Sequence, residues 1–413
     1  MSALSHKEIK DLKLQLLLQI TKSINNNASV SELLEDYKNF LHHTLAIPKL
    51  CLFVHTQIHT EHTNSKNTDE WECLLKVGMK TRQKVQFEKE LLLIKDIETL
   101  TAFQGQLSKE FDVVVPVYHK DIPLAYLLMG DVDPQKIGMS PVIQHLPFVQ
   151  TLTNIIVVAI ENKKLYRKAI HQAEINKEIE LAKQVQTMLL PQQLPFTKNI
   201  KIVAHYIPFS LIGGDYYDVI KLNNHEYIFC IADVSGKGVS AALLMSNIQA
   251  ALRTAIEFTH NLKDIITQLN KRIRDNAKGE KFVSFFLGKI NLLSHQITYI
   301  NAGHNPPILW IDHQLQLLDK GTTLLGFMEP LPYTEVTILE YTKHLLLFAY
   351  TDGLTEFFDE FNIDLKALIQ FISEQKHKSV IEIKNLVLEW IQKLQSTQHT
   401  LKDDLALLLM ECT

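Results

Sequence analysis

Phe229-Cys230-Ile231-Ala232-Asp233-Val234-Ser235-Gly236-Lys237-Gly238 runs from an apolar stretch into a carboxylate and then a glycine-rich turn. The same grammar returns at Leu347-Phe348-Ala349-Tyr350-Thr351-Asp352-Gly353. In both places an acid stands at the mouth of a run that reads as a buried strand. A charge there is costly to leave unpaired, and a cation neutralises it. Two further acids sit in turn-like settings. Asp215 lies within Gly213-Gly214-Asp215-Tyr216-Tyr217-Asp218, and Asp403, with its neighbour Asp404, precedes Leu405 to Met410. Singly, each has a plainer reading, because aspartate caps backbone donors in turns. If the four converge, carboxylates without His or Cys suit magnesium or manganese rather than zinc or copper. Two such ions sharing a carboxylate are the known route to phosphoester hydrolysis by activated water. Gly213, Gly214, Gly236, Gly238 and Gly353 would allow close approach of the backbone.

Outward from these acids, residues 200–310 alternate strands (Lys201 to Ile207, Glu226 to Ile231, Phe282 to Ile290, Gln296 to Ile300) with helical segments at 240–258 and 261–276. Strands follow at Thr334 to Leu339 and Leu345 to Tyr350, then helices near 364–374 and 379–395 and a last strand, Leu405 to Met410. Strands outnumber helices and short turns join them, which predicts antiparallel sheets with helices outside: an α+β domain. Pro191 and Pro195 separate this half from a stretch, 148–190, that lacks Gly and Pro. Its apolar residues Leu165, Ala169, Ala173, Ile179, Ala182, Val185 and Leu189 form an irregular stripe. One reading packs this helix on its own domains. The reading preferred here is a parallel dimeric coiled coil, because so long a stripe needs a cover. Before it, helices at 7–22 and 30–45 and strands at Leu50 to Ile58, Trp71 to Val77, Phe111 to Tyr118 and Leu124 to Met129 make a second α+β unit, with a turn-rich segment at His62 to Asp69.

A chain of 413 residues suits two domains, and 46% hydrophobic against 21% charged residues describes a folded protein. Its formal net charge of −4 gives no reason to expect nucleic acid as partner. Four isolated cysteines (Cys51, Cys73, Cys230, Cys412) without a CxxC pair point to a reducing, cytoplasmic setting and to neither zinc nor a disulfide framework. The N-terminal Leu14 to Ile20 reads as an amphipathic helix rather than a signal peptide, and Ile155 to Ile160 is too short to span a bilayer. Gly236-Lys237-Gly238 is no Walker loop, since Ile231 and Gly238 stand where Gly and Ser/Thr are needed. His304, beside Pro306-Pro307, is either a structural turn residue or a general acid or ligand.

Read in order, these segments resemble the SpoIIE/RsbU-type branch of the protein phosphatase 2C family. The matching blocks are Leu181-Ala182 through Val185-Gln186 and Leu189-Leu190-Pro191 to Leu194-Pro195, then Gly213 to Asp218, Ala232 to Val239 with Ala241-Ala242, Asn301-Ala302-Gly303-His304-Asn305-Pro306-Pro307, Leu325-Gly326, Tyr350 to Glu356, and Asp403-Asp404. The resemblance covers about 180–413. It implies an α-β-β-α sandwich presenting two manganese or magnesium ions. Asp233 would bridge them, Val234 would offer its carbonyl, Asp352 and Asp403 would hold one ion, and Asp215 would support the other. It also implies hydrolysis of phosphoserine or phosphothreonine by activated water, commonly on an anti-sigma-factor antagonist (STAS) protein in partner-switching control. Ser235 and Lys237 stand where eukaryotic relatives carry a histidine, so the general acid is unassigned. Ser284 and Ala406 replace usual threonines, and a glycine expected soon after Thr355-Glu356 is missing. Those departures motivate an alternative, a weak or inactive phosphatase fold retained as a docking module. Residues 28–165 resemble a GAF domain through element order, Val113-Val114-Val115-Pro116-Val117 and Leu124 to Gly130. It would receive an unknown small-molecule or protein signal. His42, His43, His55, His59 and His62 lack ligand spacing. The organisation expected is therefore an N-terminal helix (1–27), a GAF-like sensor (28–165), a linker helix (148–190) and a phosphatase domain (191–413), in a homodimer.

Overall fold

The computed structural model describes residues 6–55, 71–78, 91–100, 111–130, 141–210, 212–312, 314–395 and 401–413. By packing, the chain divides into Met1–Gln172 and Ala173–Thr413. The first unit begins with α1 (His6–Asn25) and α2 (Val30–Asn39), whose start is fixed by a reciprocal Ser29–Glu32 capping box. Five antiparallel strands follow: β1 (Lys49–His55), β2 (Trp71–Val77), β3 (Glu98–Thr99), β4 (Val113–His119) and β5 (Ile122–Gly130), in the order β2-β1-β5-β4-β3. One face of this sheet packs on α1, α2 and the first turns of α3 (Pro141–Leu189) around Leu16, Ile20, Leu33, Tyr37, Leu127 and Ile156. Tyr37 closes that core through a buried 2.6 Å bond to Thr153.

Several expectations shift here. The boundary set at residue 27 falls inside one core, since Leu16 and Ile20 of α1 are buried with α2 and the sheet. The packing division at 172/173 lies within α3, inside the stretch read as the linker helix. The helix also starts earlier than 148 and carries Pro147 inside it. Thr56 to Ile58, His59 and the segment His62 to Asp69 lie outside the described residues. The His42 Nδ1–H donates to the Ile47 carbonyl (3.0 Å), and the His55 ring meets Trp71 edge-on, so these two have packing roles. The cysteines are not all apart in space: Cys51 and Cys73 approach to 3.4 Å between Sγ atoms.

The second unit has two sheets. One contains β7 (Tyr216–Lys221), β8 (Glu226–Val234), β9 (Val283–Asn291), β10 (Gln296–Ala302) and β13 (Gly321–Thr322), with β14 (Thr337–Glu340) also on β10. The other contains β6 (Ile200–Ile207), β11 (Ile308–Ile311), β12 (Gln314–Leu317), β15 (Leu345–Tyr350) and β16 (Leu405–Cys412), ordered β12-β11-β15-β16-β6. All six residues of β15 are buried, and alternation explains how. Leu345, Leu347 and Ala349 face the first sheet. Leu346, Phe348 and Tyr350 face the outer helices α6 (Asp352–Asp359), α7 (Leu365–Gln375) and α8 (Val380–Gln395). Helices α4 (Val239–Phe258) and α5 (Leu262–Ala277) cover the opposite side through Leu244, Met245, Ile248, Ile265, Ile266 and Leu269. The result is the expected four-layer α-β-β-α sandwich within an α+β chain. By length and composition alone, Val142–Leu189 and Val239–Phe258 are apolar enough to cross a membrane. Each, however, packs apolar residues into a core, Val149, Leu152 and Ile156 in one and Met245, Ile248 and Leu252 in the other.

Candidate metal centre

The acids singled out in the sequence meet at one end of the sandwich. Asp233 is the penultimate residue of β8, opposite Ser284 of β9. Asp352 does not end a strand in a turn, as read from sequence. It opens α6, with Thr351 as the capping residue, and so sits in the first turn, where backbone N–H groups lack intrahelical partners. Asp215 immediately precedes β7 and is 1% exposed. Its Oδ2 accepts a 2.6 Å bond from the Thr351 hydroxyl, which itself accepts from the Ala406 N–H at 2.8 Å. Ala406 therefore serves the site through its backbone, where a side-chain hydroxyl was expected. Asp403 pairs with Lys237 (2.8 Å) and accepts from the Asp404 N–H. The Val234 carbonyl lies against Gly214.

Asp404, named in the sequence only as a neighbour of Asp403, turns out to organise the loop. Its two oxygens accept from the N–H groups of Phe209 (2.8 Å) and Gly214 (2.6 Å). A Cβ at Gly213 would collide with Asp404 and the Tyr206 hydroxyl, and one at Gly353 with the Asp404 carbonyl, so only glycine lets these segments close. Gln186, near the end of α3, clamps Gly213 from the other side. Its amide donates to the Gly213 carbonyl (2.6 Å) and accepts from the Gly213 N–H (3.3 Å). Asp218, fully buried, receives a two-pronged bond from Arg253 of α4 (2.8 and 3.0 Å) and one from Tyr216 (2.7 Å). That pair anchors β7 just beyond Asp215. Neither partnership has a local sequence signature.

Electrostatics mark the cluster as short of positive charge. Burial, then repulsion from Asp352 and Asp403, pushes the Asp233 carboxyl up to about 7. Burial and Asp233 raise Asp215 well above the carboxylate range, with Thr351 opposing. Asp352 is raised by burial, Glu356 and Asp403, and Asp404 by burial first. The Tyr206 hydroxyl is buried without a hydrogen-bond partner among the described residues. It is raised by burial and by the aspartates Asp404, Asp215, Asp233 and Asp403. Beside the acids lies a cavity of about 240 Å³ lined by Asp233, Ser235, Phe282, Ser284, Asn305 and Asp352 among others. Ser284 bonds His304 Nδ1 at 2.7 Å, and burial lowers His304 to about 4. His304 is buried, with Asn301 holding its backbone on both sides. That favours the structural reading of this residue.

An all-oxygen donor set with uncompensated negative charge fits hard divalent cations. Among the described residues no three His, Cys, Asp or Glu side chains are already closed around an ion position. The acids are gathered, but Asp403 is turned to Lys237 and Asp215 to Thr351.

Comparison with known proteins agrees with this architecture. The family described as Stage II sporulation protein E (SpoIIE) matches residues 223–413. The chain is 30% identical over 246 residues to phosphoserine phosphatase RsbU of Bacillus subtilis, covering 58% of this chain and 71% of that protein. It is 24% identical over 242 residues to phosphoserine phosphatase RsbP of the same organism, spanning 57% of that longer relative. The SiaA-PP2C domain of Pseudomonas aeruginosa shares the fold, with a TM-score of 0.51 at 17% identity, over 58% of this chain and 98% of that one. A sandwich of this topology, the matched family region and the relationship to RsbU establish that the chain belongs to the SpoIIE/RsbU family of protein phosphatase 2C-type serine/threonine phosphatases.

Proposed function

We propose that the chain removes phosphate from phosphoserine or phosphothreonine of a protein partner, an anti-sigma-factor antagonist of STAS type, in partner-switching signalling. The observation that carries this reading is the gathering of Asp215, Asp233, Asp352 and Asp403 with too little positive charge, beside a cavity that Asp233 and Asp352 line. In this reading Asp233, the Val234 carbonyl, Asp352, Asp403 and Asp215 hold two Mn2+ or Mg2+ ions. When bound, such ions supply Lewis acidity toward a phosphoryl oxygen and toward water. The chain's own groups do the rest. Thr351 and Asp404 orient the Asp215 loop, Gly213 and Gly353 keep the backbone close, and Ser284 and Asn305 line the side from which a phosphoryl group enters.

The N-terminal unit is read as a GAF-like sensor, and α3 as the element that carries its state. Leu165, Ile170, Leu181, Val185 and Met188 are exposed along α3, which supports a homodimer through this helix, and Gln186 supports a link from it to the Asp215 loop. Cysteine usage supports a cytoplasmic setting. The alternative, a docking module, draws on the Lys237–Asp403 pair, which engages a proposed ligand. Phosphate release from a phosphorylated STAS partner with manganese separates the two readings. Wild type is expected to turn over and Asp352→Asn is not; equal, negligible release from both would favour docking. Deleting residues 1–170 is expected to change the manganese-dependent rate, and an unchanged rate would remove the sensor coupling.

A further inference from the structure

Of the four cysteines, Cys73 is exposed and the other three are buried. It sits on β2, which pairs with β1 alone among the described strands and so forms an edge. The register there is irregular: Leu52 faces Leu75, but the next residue, Phe53, faces Cys73. The extra residue, Leu74, is a bulge. Without it Cys73 would oppose Val54 and point to the other side of the sheet. With it, Cys73 shares the face of Phe53 and Cys51, and the two sulphurs lie 3.4 Å apart. A disulfide needs about 2.05 Å, so the sulphurs have about 1.4 Å left to close.

The surroundings divide the labour. Cys51 is 1% exposed within the apolar cluster of Leu91, Phe111, Tyr126 and Leu128, closed to solvent but touching its neighbour. The hydrogen bond from Cys51, with help from the Lys76 charge, brings the Cys73 thiol down to about 7, against opposition from burial and Glu72. Burial moves the other two thiols the opposite way, Cys230 well above its ordinary value and Cys412 up to about 12.

We propose that Cys51 and Cys73 form a hydroperoxide-responsive dithiol in the N-terminal unit, Cys73 attacking and Cys51 resolving. In the first step the Cys73 thiolate attacks one peroxide oxygen. The O–O bond breaks, hydroxide leaves, and Cys73 becomes a sulfenic acid. In the second, Cys51 Sγ attacks Cys73 Sγ, the S–O bond breaks, and hydroxide departs with the Cys51 proton as water. Two thiols lose two electrons and two protons, and hydrogen peroxide becomes two waters. The product ties the edge strand to β1 and is reversed by a dithiol reductant. The thiolate fraction at pH 7 is roughly sixteen-fold that of an ordinary thiol, and lower intrinsic nucleophilicity takes back about fivefold. Cys73 should therefore react about threefold faster than an unperturbed cysteine.

The test exposes full-length protein to hydrogen peroxide, quenches, alkylates in denaturant and maps the peptides by mass spectrometry. The expected result is an intrachain Cys51–Cys73 disulfide, cleared by dithiothreitol, with Cys230 and Cys412 still alkylated. Cys51→Ser should stop at a Cys73 sulfenic acid trapped by dimedone, and Cys73→Ser should form no disulfide and lose thiols at least threefold more slowly. Oxidation of Cys230 or Cys412 at the same rate would overturn the proposal. So would a Cys73 sulfenic acid persisting in wild type without linkage to Cys51, or bridges only between chains.

Discussion

Asp233→Asn in metal-free protein tests whether the acids are held together against their own repulsion. The Asp233 carboxyl ionises near 7 in the fold, against an ordinary value of 3.8. The unfolded chain thus releases this proton about three pH units earlier than the native one. A raised folded pKa gives stability that is complete below about pH 4 and lost as pH climbs through 7. Three units correspond to about 4 kcal/mol, and sharing among coupled carboxylates and partial exposure to solvent lower this to about 2–4 kcal/mol. At pH 8 with chelator, removing the charge should therefore stabilise the protein by that amount. For a unit of this size the melting point should rise by about 4–16 °C. At pH 4.5, still just above the ordinary value of 3.8, the difference should shrink to about 1 kcal/mol or less, apart from small packing differences. Comparing mutant with wild type at each pH cancels groups that do not feel Asp233, His304 among them, whereas Asp215, raised in part by Asp233, relaxes with the substitution and adds to the stabilisation. Manganese should then raise the wild-type melting point at pH 8 and move the variant far less. The reasoning fails if metal-free Asp233→Asn is as stable as wild type, or less stable, at pH 8.

Arg253→Ala should leave the Asp218 charge buried with Tyr216 and Val219 alone, costing about 3–5 kcal/mol in urea melts. Asp218→Asn added to it should recover part of that loss, and a double variant no better than the single one would show that the ion pair is not the cause. Thr351→Val keeps the shape but strips a bond from both Asp215 and the Ala406 N–H. It is expected to cost about 2–4 kcal/mol and to lower phosphate release, measured by thermal melts and a released-phosphate assay. His304, depressed to about 4 by burial, gives stability that is full above 6.5 and lost as pH falls toward 4. That is about 3 kcal/mol, seen as a wild-type acid sensitivity that His304→Gln lacks in melts between pH 7 and 4.

How much of this is legible in the sequence follows from the range over which each signal acts. Leu345 to Tyr350 reads as a strand because every residue is apolar, and it is buried on both faces because helices and a second sheet both cover it. Asp233 and Asp352 stand out for the same local reason, an acid after an apolar run. The short β11 and β12 and the helix that Asp352 opens escape a sequence reading, since Asp-Gly serves a turn as readily as a first helical turn. Asp404 does not stand out because adjacent acids look equivalent until the fold gives each different donors. Arg253 meets Asp218 across 35 residues, and nothing in either segment points to the other.

The Cys51–Cys73 approach is hidden for a subtler reason, and it shows where sequence reading stops. Counting along two ideal strands puts these sulphurs on opposite faces, and one bulged residue reverses that. Local pattern fixes which residues are strand, but register decides which side chains meet, and register is set by backbone hydrogen bonds to another segment. The metal-centre acids escape this difficulty. Asp233 stands near the end of β8 and Asp352 just after β15, so both are delivered to the same end of the sandwich by strand direction rather than by register. A site built at strand ends tolerates a slip in the reading, whereas a pair built across a ladder does not. The two halves of the chain accordingly call for different tests: charge and metal for the acids, chemical mapping of the actual contact for the thiols.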